Sequence, residues 1–204
     1  LLVTITLLPT LVVMMTSFTR YVVSLSFLRT AMGTQQTPPN TVLVGMALIL
    51  TLFTMTPTLN TIKTTAFDPY VEGEITQQEF FDRAKLPLKR FMLRNAEIGT
   101  VQMYCEMAGE TPPTTVEELE ESVDLPMLVI APAFVTSELK AAFWIGFLLY
   151  IPFMLIDVIV SSTLMSMGMI MLPPSMISTP FKILLFILLD GWSLLFSTLI
   201  QTVK

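Results

Sequence analysis

The chain has 204 residues, 53% of them hydrophobic and 13% charged, with a net charge of −5 and a mean hydropathy of +0.72. A soluble domain carries about a quarter charged residues, so the composition excludes an ordinary soluble enzyme domain. The lack of histidine and the single cysteine, Cys105, exclude imidazole general-base chemistry, His- or Cys-cluster metal ligation and an internal disulfide.

The charges are segregated. Residues 63–140 hold all but six of them, seven basic against fourteen acidic. Outside that block stand only Arg20, Arg29, Asp157, Lys182, Asp190 and Lys204. This is the pattern of an all-α membrane protein with one polar insert. It predicts a first helical hairpin over 1–62, an acidic helical insert over 63–140 outside the bilayer, and a second hairpin over 141–204. Nothing in the charge pattern points to nucleic acid.

Residues 1–19 are uncharged and apolar, interrupted by Pro9. The chain begins inside an apolar run, so a signal peptide or more of the first span is expected before it. Arg20 and Arg29 close that run. They can snorkel to a membrane interface or pair inside a bundle, and the interface reading is preferred. Gly33 and Pro38-Pro39 mark 30–40 as a tight, polar, uncharged loop. Residues 41–62 form the second apolar segment, ~33 Å as a helix, enough for a ~30 Å hydrocarbon core. Pro57 weakens its end.

In the insert, Thr76 followed by Glu79 is a capping box that predicts a helix over 77–94, kinked near Pro87. A second box starts at Thr114 or, shifted by one, at Thr115, ending at Glu117 or Glu118. It predicts a short acidic helix to about Val123. Residues 95–108 read as helix and 109–113 as loop. The acidic run 117–124 is a solvated face or an interaction surface. Residues 125–135 are apolar but broken by Pro126 and Pro132. Thr136 or Ser137 then caps a new helix, with Glu138 favourable in its first turn.

Residues 141–172 are the third apolar run, ~48 Å as a straight helix, so it must tilt, kink at Pro152 or leave the bilayer. Ser161, Ser162 and Gly168 permit close helix approach. The run ends on Met165, Met167, Met169 and Met171, alternate positions before Pro173-Pro174, which stop a helix. Thioethers are flexible and polarizable. The methionines fit lipid-facing or core filler, and equally a deformable closure. Residues 181–203 form the fourth run, with Lys182 near its start and Asp190 in its middle.

The basic residues flanking 30–40 favour that loop as cytoplasmic and the insert as exocytoplasmic. Asp157 and Asp190 lie deep in apolar runs, where a charge costs on the order of 3 kcal/mol or more and calls for a partner. Lys182 is the only nearby cation. With the turn at 173–180, Lys182 and Asp157 fall at different depths, and Lys182 and Asp190 share a helix face two turns apart. The partners are then expected from another subunit. A facing aspartyl-protease pair and a proton-coupled solute carrier using Asp157 and Asp190 are the competing readings. No Gly-rich phosphate loop is present, and no cofactor is expected.

Several stretches, in order, resemble the FliP family of flagellar export-gate proteins and its type III secretion relatives. They are Phe18-Thr19-Arg20 with Leu28-Arg29, Gly33 through Asn40, Pro132 through Lys140, Gly146 through Leu149, Ile156-Asp157, Met169 through Pro174, and Pro180-Phe181-Lys182 through Asp190-Gly191-Trp192. The resemblance covers nearly the whole chain apart from much of the insert. It implies a non-enzymatic subunit of a helical ring of several copies, with FliQ-like and FliR-like subunits beside an FlhB-like one. That ring, in the flagellar basal body of the bacterial inner membrane with the insert in the periplasm, passes unfolded export substrates.

The resemblance also implies a methionine gasket at Met169, Ile170 and Met171, where Ile170 departs from the middle one of the family's three methionines, with Met165 and Met167 as a second layer. Asp157, Lys182, Asp190, Glu138 and Lys140 are the expected intersubunit polar contacts. The equivalent subunit of a virulence secretion system, a small-solute transporter, and an assembly protein with no conduit are the alternatives.

Overall fold

The computed structural model describes residues 13–169 and 171–203, and every described element is helical. Helix α1 is Phe18–Met32 and α2 is Asn40–Ile62. A π-helical turn, Lys63–Phe67, leads without a break into α3, Asp68–Val71. Then come α4 (Gln77–Asn95), α5 (Ile98–Ala108), α6 (Val116–Glu121), α7 (Met127–Ser166), α8 (Pro174–Leu188) and α9 (Gly191–Gln201).

The chain forms two compact units. One comprises 13–19, Thr51–Lys140 and Val203. Its core joins Met55, Phe91, Leu93, Val101, Ile130 and Phe134, with the Phe91 and Phe134 rings edge to face at 5.8 Å. Cys105 is fully buried here, and burial pushes its thiol pKa up. The Thr76–Glu79 capping box forms with both halves in place. Of the two registers open to the second box, the later one forms: Thr115 accepts from the Glu118 amide while the Glu118 carboxylate reaches back to the Thr114 amide at 2.7 Å. Lys89 donates to the Val123 and Leu125 carbonyls, both at 2.8 Å, tying α4 to the chain after α6.

The expected break near 125–135 is absent. Helix α7 runs for 40 residues through Pro132 and Pro152. An internal proline costs about 3 kcal/mol. Around Pro132 the helix buries Val129, Ile130, Ala133 and Phe134, each worth about 1–3 kcal/mol, and that burial outweighs the proline. Ser137 therefore caps no new helix. Its hydroxyl donates to the Ala133 carbonyl and accepts from the Glu97 amide at 2.9 Å, so it serves the start of α5 instead. Pro57 lies inside α2, and the helical run goes on through the π-helical turn and α3 to Val71.

The second unit comprises Arg20–Leu50 and Ala141–Thr202. Tyr21, Leu25, Leu28 and Ala31 of α1 are buried, as are Leu43, Ala47 and Leu50 of α2 at helical spacing. Arg20 corrects the interface reading. It is buried and donates to the Thr202 carbonyl, so it closes a bundle rather than reaching lipid headgroups. Arg29 donates to Asn40 and to the Pro38 carbonyl across the 30–40 loop.

The spans Asn40–Val71 and Met127–Ser166 are long and apolar enough to cross a membrane, and the pair Pro174–Leu188 and Gly191–Gln201, bent by 67°, passes the same test together. The fourth apolar run is thus two helices, a correction to the single helix expected. Ile49, Leu52, Phe53, Trp144, Leu155 and Val158 are exposed on these spans. Faces of that kind are made to be covered by lipid or by other helices.

Candidate functional site

The methionine turn begins where α7 stops, and the stop is made by Gly168, not by the prolines. Gly168 adopts φ 75°, a left-handed conformation that costs a side-chain-bearing residue. The Met169 amide bonds the Leu164 carbonyl and the Gly168 amide bonds the Met165 carbonyl, both at 3.0 Å. This is a Schellman cap with glycine at its left-handed position. Pro174 then occupies the first turn of α8, where no N–H is needed. Between the two caps the chain carries Met167, Met169 and Met171 on non-helical backbone, with Met165 on the last helical turn. All four are exposed, Met171 at 98%. Ile170 lies outside the described residues.

The earlier stop explains the polar cluster behind the turn. Asp157 lies nine residues before Ser166 and Lys182 eight after Pro174, so both sit ~12–14 Å from the turn. The expectation of different depths is corrected, because it extended the first helix to Leu172 and began the second at Phe181. Lys182 Nζ meets Asp157 Oδ2 at 2.7 Å and donates to the Ala31 carbonyl at 3.0 Å. Ser178 donates to Asp157 Oδ1 at 2.6 Å. Both carboxylate oxygens are thus engaged, and the hairpin is pinned to the end of α1. Lys182 is buried, while the Asp157 side chain is 39% exposed. The partner expected from another subunit is supplied within the chain.

Asp190 does not share a helix face with Lys182. It sits at the bend between α8 and α9, exposed, with φ 48°, and its side chain makes no cap bond. Glu138 is fully buried in the middle of α7, far from any first turn. Lys140 pairs with Glu97 at 2.7 Å and with Thr100 at 3.0 Å on the surface of the first unit. The lysine's hydrogen bond is the main cause that holds the Glu97 carboxyl below its ordinary value. Sequence reading missed Ser178 and the Ala31 carbonyl as members of the polar cluster. The signal for Ser178 was its spacing of four from Lys182, one face of one helix.

A helical chain whose long spans expose apolar side chains on most of their length, and all but six of whose charges fall within residues 63–140, is an all-α membrane protein. Its sequence matches the FliP family model over residues 1–199, and the chain belongs to that family. Among similar proteins is the flagellar biosynthetic protein FliP of Aquifex aeolicus, 47% identical over 96% of this chain and 80% of its own length. Those of Bacillus subtilis and Pectobacterium carotovorum are each 45% identical, over 95% and 99% of this chain and 85% and 76% of their own lengths.

Proposed function

We propose that this chain is a core, non-enzymatic subunit of the flagellar type III protein export gate in the bacterial inner membrane. Several copies surround one path for unfolded export substrates, with FliQ-like and FliR-like subunits and an FlhB-like one. The acidic insert faces the periplasm. The observation that carries this reading is the methionine turn. A chain of this family holds four exposed thioethers on and around a short segment that the Gly168 cap closes at one end and Pro173-Pro174 at the other. In a ring of copies, those side chains converge on one constriction. An apolar constriction excludes water and ions by dewetting. Unbranched thioethers part for a polypeptide and close behind it. The energy for export comes from partner proteins or from the proton gradient.

The flagellar assignment is supported over a virulence relative by the similar proteins, which carry flagellar names. The solute-carrier reading is weakened because Asp157 is engaged by Lys182 and Ser178. The test is genetic: removing this chain from its own bacterium stops secretion of flagellar rod, hook and filament proteins, and restoring it restores secretion. Secretion that continues without it contradicts the proposal.

A further inference from the structure

An apolar cavity of about 320 Å³ opens between the later half of α7 and the two arms of the bent pair α8 and α9. Leu148 and Pro152 form one wall, Leu189 and Gly191 its corner, and Leu194 and Thr198 the other arm. The corner is tightly set, since a Cβ at Gly191 would run into the ring of Phe186. Asp190 stands between the two corner residues, exposed and in left-handed conformation.

The unit that contains this groove holds five charges: Arg20, Arg29, Lys182, Asp157 and Asp190. Its cations are already engaged. Arg20 bonds the Thr202 carbonyl, Arg29 bonds Asn40, and Lys182 pairs with Asp157. Among the described residues no cation is bonded to Asp190. A carboxylate beside an apolar groove in a membrane protein calls for a partner that carries a positive charge. In a second copy the three cations of the same unit are held by the same bonds, which favours a different chain as the source of the counter-charge.

We infer that the groove receives an apolar transmembrane helix of another subunit, one bearing a lysine or arginine that pairs with Asp190. The inference rests on the reading of the chain as a subunit of a membrane export complex. It adds the surface and the chemistry of the neighbour.

The test uses the intact complex purified from membranes, with the photo-crosslinking residue benzoylphenylalanine in place of Leu194 and the products identified by peptide mass spectrometry. The expected product joins position 194 to an apolar segment of a different chain, with a lysine or arginine within two helical turns. Asp190→Asn, which keeps a residue tolerant of left-handed backbone, lowers that yield about tenfold, the scale of one charge-assisted contact. Asp190→Lys combined with a glutamate at the partner's basic position restores it. Cross-links to a second copy of this chain or to lipid alone overturn the inference, as does a yield indifferent to Asp190→Asn. If Asp190→Asn dissolves the complex, the charge swap decides, recovery supporting the inference and continued loss overturning it. A chain that co-purifies with no other membrane subunit overturns both this inference and the function proposed above, whereas a normal complex with the wrong cross-links overturns this inference alone.

Discussion

At the scale of single residues, the Lys182–Asp157 pair is asymmetric, and the asymmetry is measurable. The lysine is buried, whereas the carboxylate side chain is 39% exposed. Removing the carboxylate strands a buried cation, while removing the cation leaves a partly exposed anion still held by Ser178. Asp157→Asn is therefore expected to destabilise the purified protein by about 3 kcal/mol, and Lys182→Met by about 1 kcal/mol. Thermal unfolding in one detergent checks the order. Gly168 gives a second case. Replacement by valine places a β-branched side chain at φ 75°, a cost of about 2 kcal/mol. Gly168→Asn, tolerated in that conformation, costs a fraction of it. If valine and asparagine unfold at the same temperature, the cap does not set the turn. The pair was hidden in the sequence because its reach depends on where two helices end. The glycine that ends the first was read as a site of close helix approach, because the double proline that begins five residues on was the louder stop signal.

At the scale of elements, local chemistry and packing diverge in an instructive way. The capping box at Thr76 and the threonine cap at Thr115 were legible, because such a cap is a contact between residues three apart. So were the apolar spans. Pro132 misled: it is a breaker by propensity, yet α7 runs through it, as α2 runs through Pro57. Long-range burial overrides such signals, and a single sequence does not display it. Conversely, the fourth apolar run contains no proline at its bend. Asp190-Gly191, read as a polar interruption of one span, is where that run divides.

The insert should answer to acid as an element. Hydrogen bonds hold the Glu97, Glu79 and Glu118 carboxyls below the ordinary 4.5, from Lys140 for the first and from threonines at helix starts for the others. A lowered folded-state pKa gives stability that is present above 4.5 and lost as pH falls through the depressed values. Helix content and amide-exchange protection in 77–121 should therefore hold from neutral pH down to about 5 and decline below about 4. Glu97→Gln should flatten that decline for the start of α5. Protection that falls instead between pH 7 and 6 would contradict the assignment to these carboxylates.

At the scale of the whole molecule, the single chain leaves much apolar surface uncovered, along its spans and at its turn. A methionine at 98% exposure gains nothing from standing alone in water. The ring of copies proposed above would give those side chains each other as neighbours, with the polar cluster behind them setting the register at which each copy presents its turn. The account then makes the turn a seal, with the helices as its frame. The most direct measurement is ionic current through membranes containing the assembled complex, comparing the natural chain with Met169→Ala/Met171→Ala. The account predicts complexes of unchanged composition that are tight with the natural chain and conduct small ions steadily with the double variant. Background conductance from a fully assembled double-variant complex would contradict it.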